Sequence, residues 1–302
     1  MNDTYKKQVS LLLDILPYIA EEKCFTLHGG TAINLFDLNM PRLSVDADLT
    51  YIPFSSDRNL DLGKIRTSLS NIKAKLKDRM PSIRFANQQK ATEELKLICS
   101  SPEATVKIEV NQINRGLIAE PRTMVLCNKA QEVFDRFCEV PVVSIGQLWG
   151  GKINAALDRQ HPRDIFDIKN LFNEIGYTDE IKTGFLFFLL CGNRPIHELL
   201  NPKYIDQRVV LDSQFRGMTD QSFSHDEFEK TRKRLVFMVN KSLAIKDKEF
   251  LLSFAKGEPV WKDVDYSMLP AIRWKLLNIL RLKDRDPKKF LEQIDLLEQT
   301  IA

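Results

Sequence analysis

The stretch His28–Pro53, HGGTAINLFDLNMPRLSVDADLTYIP, opens on a glycine pair and ends shortly after two aspartates one residue apart, Asp46 and Asp48. The chain entering it carries Leu11, Leu12, Ile15, Leu16 and Ile19 at helical spacing, which predicts a helix over Lys6–Glu22. Cys24–Leu27 is short and apolar and reads as a strand. Gly29–Gly30 breaks it, Thr31–Leu38 reads as a helix with one apolar side, and Pro41 closes that helix. The next segment, Asp46–Ile52, alternates Asp46, Asp48 and Thr50 with Ala47, Leu49 and Tyr51. A strand has period two, so both aspartates fall on one face.

Working outward, Asn59–Met80 reads as a basic helix, and Ile83–Ala86, Leu95–Cys99 and Thr105–Ile113 as strands. In the last of these, TVKIEVNQI, Val106, Ile108 and Val110 alternate with Lys107, Glu109 and Asn111. After Pro141 the pattern turns helical and stays so, through Ser144–Gln160, Arg163–Ile175, Glu180–Leu190, Asp226–Leu243 and on to the C-terminus. The expected fold class is therefore α+β. Residues 1–140 form a lobe with a mixed β-sheet flanked by helices, and residues 141–302 form an all-helical lobe.

Composition bounds the function. A chain of 302 residues can bury a sizeable core and is long enough for about two domains. Hydrophobic residues make up 43% and charged residues 28%, with no apolar run near the roughly 20 residues that span a bilayer. The expectation is a soluble protein with no membrane role. No signal peptide is read at the N-terminus. Cys24, Cys99, Cys127, Cys138 and Cys191 are odd in number and scattered, with no CxxC pair, which points away from a disulfide framework or zinc site and towards the reducing cytoplasm. The net charge of +3 does not decide for or against nucleic acid, although Lys and Arg gather late in the chain.

Two carboxylates on alternate strand positions sit roughly 6–7 Å apart and point the same way, an arrangement suited to a hard divalent cation such as Mg²⁺ (or Mn²⁺). Glu109, on the polar face of its strand, is the candidate third ligand, where a solvent-facing strand residue would serve equally well. A Gly-Gly turn entering a helix offers backbone N–H groups and close approach, as a nucleotide phosphate requires. Together these features describe a phosphoryl- or nucleotidyl-transfer site. Lys152, near the start of a helix, is a cation able to reach a triphosphate, and Arg159 and Arg163 add donors nearby. Asp164 and Asp167 lie three apart, so a helix brings both towards one face; the structural alternative is that Arg163, Asp164 and Asp167 pair among themselves or cap the helix after Pro162. Ser44 either binds phosphate or satisfies a backbone group. Arg42 is divided between a substrate phosphate and a surface salt bridge, and His161, before Pro162, reads as a loop residue.

GGTAINL…RLSVDADL resembles the signature of the DNA polymerase beta-type nucleotidyltransferase superfamily, although the gap here is longer than in many members. The form GGTAxxL…RxSxDxDL is more similar to the AbiEii/AbiGii nucleotidyltransferase toxins, a branch that includes the MenT toxins. A second block, LWGGKINAALDRQHPRDIFDIKNLF, resembles that branch's K-x-x-A-x-x-x-R-x-x-x-R-D-x-x-D-[IL] helix pair through Lys152, Ala155, Arg159, Arg163, Asp164 and Asp167. The resemblance covers residues from about 25 to 175.

It implies an enzyme with Asp46, Asp48 and Glu109 as metal ligands and with Asp46, Asp48, Lys152, Asp164 and Asp167 as catalytic residues. Gly29, Gly30, Thr31, Arg42, Ser44, Lys152, Arg159 and Arg163 would bind an NTP, and the helical domain would contribute its Lys, Arg and Asp to the active-site cleft. Which of Asp164 and Asp167 serves stays open. The implied protein is a bacterial toxin that transfers NMP to RNA, with the tRNA 3′ end as target and a separately encoded antitoxin as partner. An enzyme transferring AMP to protein hydroxyls, or a non-catalytic nucleotide- or RNA-binding regulator, are the alternatives. Two later runs, Lys230–Lys248 and Arg273–Lys289, are helical with basic faces; each is either a solvated face or an RNA-backbone surface.

Overall fold

The structure, a computed structural model, describes residues 1–86, 95–261 and 265–302. The chain divides into two compact units: Met1–Ser144 with Phe215–Ser222, and Ile145–Gln214 with Phe223–Ala302.

The first unit opens with α1 (Asp3–Ala20), β1 (Phe25–His28) and α2 (Gly29–Ala32), which runs on into a π-helical turn at Ile33–Asp37. It continues with β2 (Asp46–Tyr51), α3 (Arg58–Arg79), β3 (Arg84–Phe85), β4 (Lys96–Ser100), β5 (Thr105–Val110), β6 (Arg122–Val125), α4 (Asn128–Phe134) and β7 (Glu139–Val142). The strands form one mixed sheet in the order β3-β4-β5-β2-β1-β7-β6. β2 is antiparallel to β1 and parallel to β5, so the aspartate strand lies inside the sheet, between two partners. The apolar alternation of β5 buries Val106, Ile108 and Val110, and the stripe on α1 buries Leu12, Ile15, Leu16 and Ile19. Sequence reading missed β6, α4 and β7. β6 and β7 are four residues each, and Pro141 sits within β7 instead of closing the sheet region. Its missing N–H is tolerated in so short a strand near a sheet edge.

The second unit comprises α5 (Ile145–Arg159), α6 (Pro162–Asn170) with a π-helical turn at Leu171–Ile175, α7 (Asp179–Leu189), α8 (Ile196–Leu200) and α9 (Arg208–Val210). α10 (His225–Ser242), α11 (Ile245–Ala255), α12 (Pro270–Arg285) and α13 (Pro287–Ile301) follow. α5 and α7 meet backbone to backbone. A Cβ on Gly184 would lie 1.8 Å from the Gly146 carbonyl oxygen, and one on Gly150 would lie 2.2 Å from the Gly184 carbonyl carbon. Trp149, between these two α5 glycines, is fully buried. Among the described residues, no helix is long and apolar enough to cross a membrane.

Candidate functional site

In the first unit the site grows from the end of β1. Phe25, Thr26 and Leu27 are buried in the middle of the sheet, and the antiparallel register sets His28 opposite Asp48. The chain then turns directly into α2 at Gly29, whose φ of 73° lies in the left-handed region that favours glycine. A Cβ there would lie 2.5 Å from Asp48 Oδ2, so the turn's own backbone packs against the carboxylate. One residue on, a Cβ on Gly30 would lie 2.9 Å from both Arg42 Nη2 and Ser44 Oγ.

The segment leading into β2 is tied to the same turn. The Thr31 hydroxyl is hydrogen-bonded to Ser44 Oγ at 3.1 Å and to the backbone carbonyl of Asp46. Asn34 Nδ2 donates to the Gly30 carbonyl at 2.9 Å. Arg42 is buried, not a surface residue, and its Nη1 donates to the Leu43 carbonyl at 2.9 Å. The structure therefore brings Gly29, Gly30, Thr31, Arg42, Ser44, Asp46 and Asp48 into one constellation. Asp46 is half-buried and Asp48 exposed, with Ala47 buried between them.

Glu109 is placed differently. The parallel β2–β5 register sets Asp46 beside Lys107 and Asp48 beside Glu109. The Glu109 carboxylate accepts from Lys107 Nζ at 2.7 Å. Among the described residues, no group of three or more His, Cys, Asp or Glu side chains is assembled for a metal ion. Burial works against the charged Lys107 ammonium, but Glu109, Asp46 and Asp48 outweigh it and raise its pKa. Lys107 thus lies within the field of all three carboxylates. Sequence reading noted Lys107 only as a polar-face residue, although its two-residue offset from Glu109 on one strand face was visible.

In the second unit, α5 and α6 form an ionic cluster. Pro162 occupies the first turn of α6, where its missing N–H costs nothing, and His161 caps the helix by accepting from the Arg163 backbone N–H at Nδ1. His161 lies in the turn before α6, as its place ahead of Pro162 suggests, where it serves as the N-cap; burial lowers its pKa. Asp164 and Asp167 then point at one lysine: Lys152 Nζ lies 3.0 Å from Asp164 Oδ1 and 2.8 Å from Asp167 Oδ2. Arg159 adds a bidentate contact to Asp164, with Nε at 2.6 Å and Nη2 at 3.0 Å. Lys152, Asp164 and Asp167 are all buried, whereas Arg159 is largely exposed. Burial would raise the Asp164 pKa; the Lys152 ammonium and the Arg159 guanidinium more than offset it and hold the group well below the carboxylate range. Arg163 is half-buried on the same helix.

Gln160, which sequence reading passed over, joins this cluster to the rest of the unit. It takes a left-handed φ of 50° after α5, and its buried amide donates to the Lys203 carbonyl at 2.7 Å while accepting from Arg232 Nη1 at 2.7 Å.

Among solved structures the chain is similar to MenT4, a nucleotidyltransferase toxin from Mycobacterium tuberculosis H37Rv. The TM-score is 0.60 at 12% identity, covering 89% of this chain and 91% of that one. A second solved structure, from H. pylori, shares 15% identity with a TM-score of 0.48, covering 80% of this chain and 97% of that one. No curated protein matches the chain. The mixed α+β architecture is that of a nucleotidyltransferase toxin. The family model described as nucleotidyl transferase AbiEii toxin, type IV TA system, matches residues 10–275, and the chain belongs to that family. It is a nucleotidyltransferase enzyme and a toxin of a type IV toxin-antitoxin system.

Proposed function

We propose that the enzyme uses Mg²⁺ to transfer NMP from an NTP to an RNA acceptor, the tRNA 3′ end, in the cytoplasm, and so blocks translation. The observation that carries the nucleotide part of this reading is the Gly29 backbone packed against the Asp48 carboxylate, with Arg42 and Ser44 gathered at Gly30. The tRNA target rests on the resemblance to the toxin family.

The donor set fits a divalent metal. Two carboxylates share one strand face, beside a turn that excludes a Cβ. Asp46 and Asp48 would hold the ion, with nucleotide phosphates supplying further oxygens. When bound, the metal supplies charge neutralisation on the reacting phosphates. Glu109 would join only by exchanging Lys107 for the metal.

The rest falls to the chain's own groups. Backbone N–H groups of the Gly29–Thr31 turn and the Arg42 and Ser44 side chains bind and orient the triphosphate. From the second unit, Lys152, Asp164 and Asp167 are proposed as further catalytic residues, with Arg159 and Arg163 as nucleotide-binding residues. The enzyme's antitoxin is a separate protein.

Incubation with each α-³²P-labelled NTP, Mg²⁺ and total bacterial RNA, beside the Asp46→Asn variant, tests this reading. Label on RNA from the wild type alone supports it and names the nucleotide. Label on protein instead would move the acceptor to protein hydroxyls. Nucleotide binding without label, unchanged by Asp46→Asn, would favour a binding regulator.

A further inference from the structure

α10 turns opposite faces to the protein and to solvent. Phe228, Thr231, Arg232, Leu235 and Val239 are buried at helical spacing. On the other side Lys230, Lys233, Arg234, Phe237 and Lys241 are exposed, at intervals that keep all five on one face. No acidic residue interrupts positions 230–241. Of the three acidic residues at the helix start, Glu227 is engaged with Lys169 and Glu229 with the buried Arg232, each at 2.6 Å, while the exposed Asp226 sits one turn before Lys230 and marks the end of the basic face. Arg232 therefore drops out of the basic face that the sequence run suggested. Its guanidinium stacks on the Tyr204 ring at 4.2 Å and donates to Gln160 and to the Ile205 carbonyl.

The four exposed cations are interleaved with rings. Phe237 is 61% exposed, with Lys241 Nζ 5.6 Å from its centroid, and the Arg234 guanidinium lies 4.4 Å from the Phe172 ring. From Lys230 to Lys241 the face runs about 16 Å along the helix axis. Charge alone would serve a solvated helix face; the phenyl ring among the cations adds a flat apolar surface on which a base can stack. Cations that form no ion pair among the described residues, flanking an exposed ring, match the chemistry of a single-stranded nucleic acid, with phosphates on the cations and an unstacked base on the ring.

We propose that this face of α10 is the docking surface for single-stranded acceptor RNA, with Lys230, Lys233, Arg234 and Lys241 on phosphates and Phe237 under a base. The proposal rests on the reading that the acceptor is RNA. A duplex hides its bases from Phe237, so the surface favours single strands.

The test titrates the full chain with a short fluorescein-labelled single-stranded oligoribonucleotide at several salt concentrations. Alanine at Lys230, Lys233, Arg234 and Lys241 together is expected to reduce the slope of log affinity against log salt by roughly 3, at about 0.7 per phosphate contact. Phe237→Ala is expected to weaken binding about ten-fold at fixed salt, with the slope unchanged. All five side chains are exposed and give up only ring contacts at Arg234 and Lys241, so the variants are expected to fold with a melting temperature within a few degrees of wild type. If the wild type binds and labels RNA but the fourfold variant keeps its slope, the RNA lies elsewhere, and this proposal falls while the RNA-acceptor reading stands. A flattened slope with no effect of Phe237→Ala reduces the face to general polyanion attraction and overturns the single-strand claim. A wild type that labels protein and binds no RNA overturns both readings.

Discussion

At the scale of single residues, Gly29 and Asp164 each admit little change in the candidate site. An alanine at Gly29 meets two obstacles, a φ of 73° and a Cβ 2.5 Å from Asp48 Oδ2. The backbone penalty is about 1–2 kcal/mol, which a protein of this size can survive. Rotating the carboxylate away does not relieve the contact, because the Asp48 Cβ lies only 3.1 Å from the added group and the strand that carries it is paired on both sides. Gly29→Ala is thus expected to lower the melting temperature by a few degrees while reducing NMP transfer at least a hundred-fold; transfer within ten-fold of wild type would remove the turn from the site. Asp164 calls for a pH experiment. Its folded-state pKa is below that of the unfolded chain, so at acid pH the unfolded state binds more protons. The stability it contributes is complete above the ordinary value of 3.8 and is lost as pH falls below it. Acid unfolding of Asp164→Asn should begin from a lower stability and show a shallower slope below about pH 4. Lys152→Met would leave Asp164 and Asp167 buried without their shared ammonium, a change costing on the order of 3–5 kcal/mol. Lys152→Arg, which keeps the charge, separates structure from chemistry: a folded variant with transfer lost assigns the amine to the reaction, and one with transfer intact assigns it to the ionic cluster.

At the scale of elements, the α5–α7 contact is built on absent side chains. Gly146, Gly150 and Gly184 let the two helix backbones touch, and every added Cβ would meet backbone, which cannot rotate away. Gly184→Ala is expected to cost about 3 kcal/mol or more, in the range of overpacking and buried strain, readable as a fall in the urea midpoint at constant m-value; a change under 1 kcal/mol would mean the helices slide apart easily. What the sequence made legible differs between elements for physical reasons. β2 and β5 declared themselves because one face of each is apolar, and α1 because its stripe repeats at helical period. β6 and β7 were illegible: each is four residues long, and β7 contains a proline that normally signals a break. The GGT turn and the DAD strand were legible as a pair because spacing and residue type both carry the chemistry. That Glu109 is held by Lys107 was not, since alternation assigns both to one face without saying which partner each finds. Gln160 and the burial of Arg232 depend on contacts made across long sequence separations, which no local pattern encodes.

At the scale of the whole molecule, the first unit is discontinuous in sequence, and the late segment reaches the loop that carries Arg42 and Ser44. Phe215 and Met218 of that segment are buried. Its backbone accepts from Leu43 N at the Met218 carbonyl, 2.7 Å away, and the Thr219 hydroxyl donates to the Pro41 carbonyl, also at 2.7 Å. The Asn2 backbone N–H donates to the Gly217 carbonyl at 2.8 Å, which ties the same segment to the start of α1. The Pro41–Leu43 backbone is therefore held in place by residues that arrive more than 170 positions later, after α5 to α9 have been traversed. Two consequences can be measured. A fragment ending at Ser144 lacks this support together with Lys152, Arg159 and Arg163, and is expected to bind NTP at least ten-fold more weakly than the full chain, even where circular dichroism shows the sheet formed. In the full chain, Thr219→Val removes one hydrogen bond from the loop and should cost about 1 kcal/mol of stability, whereas Met218→Ala opens a cavity beside the loop at about 2–5 kcal/mol. If the loop positions Arg42 and Ser44 on the triphosphate, both substitutions raise the apparent KM for NTP more than they lower kcat. An unchanged KM alongside the expected loss of stability would show that Phe215–Ser222 props up the fold without shaping the nucleotide site.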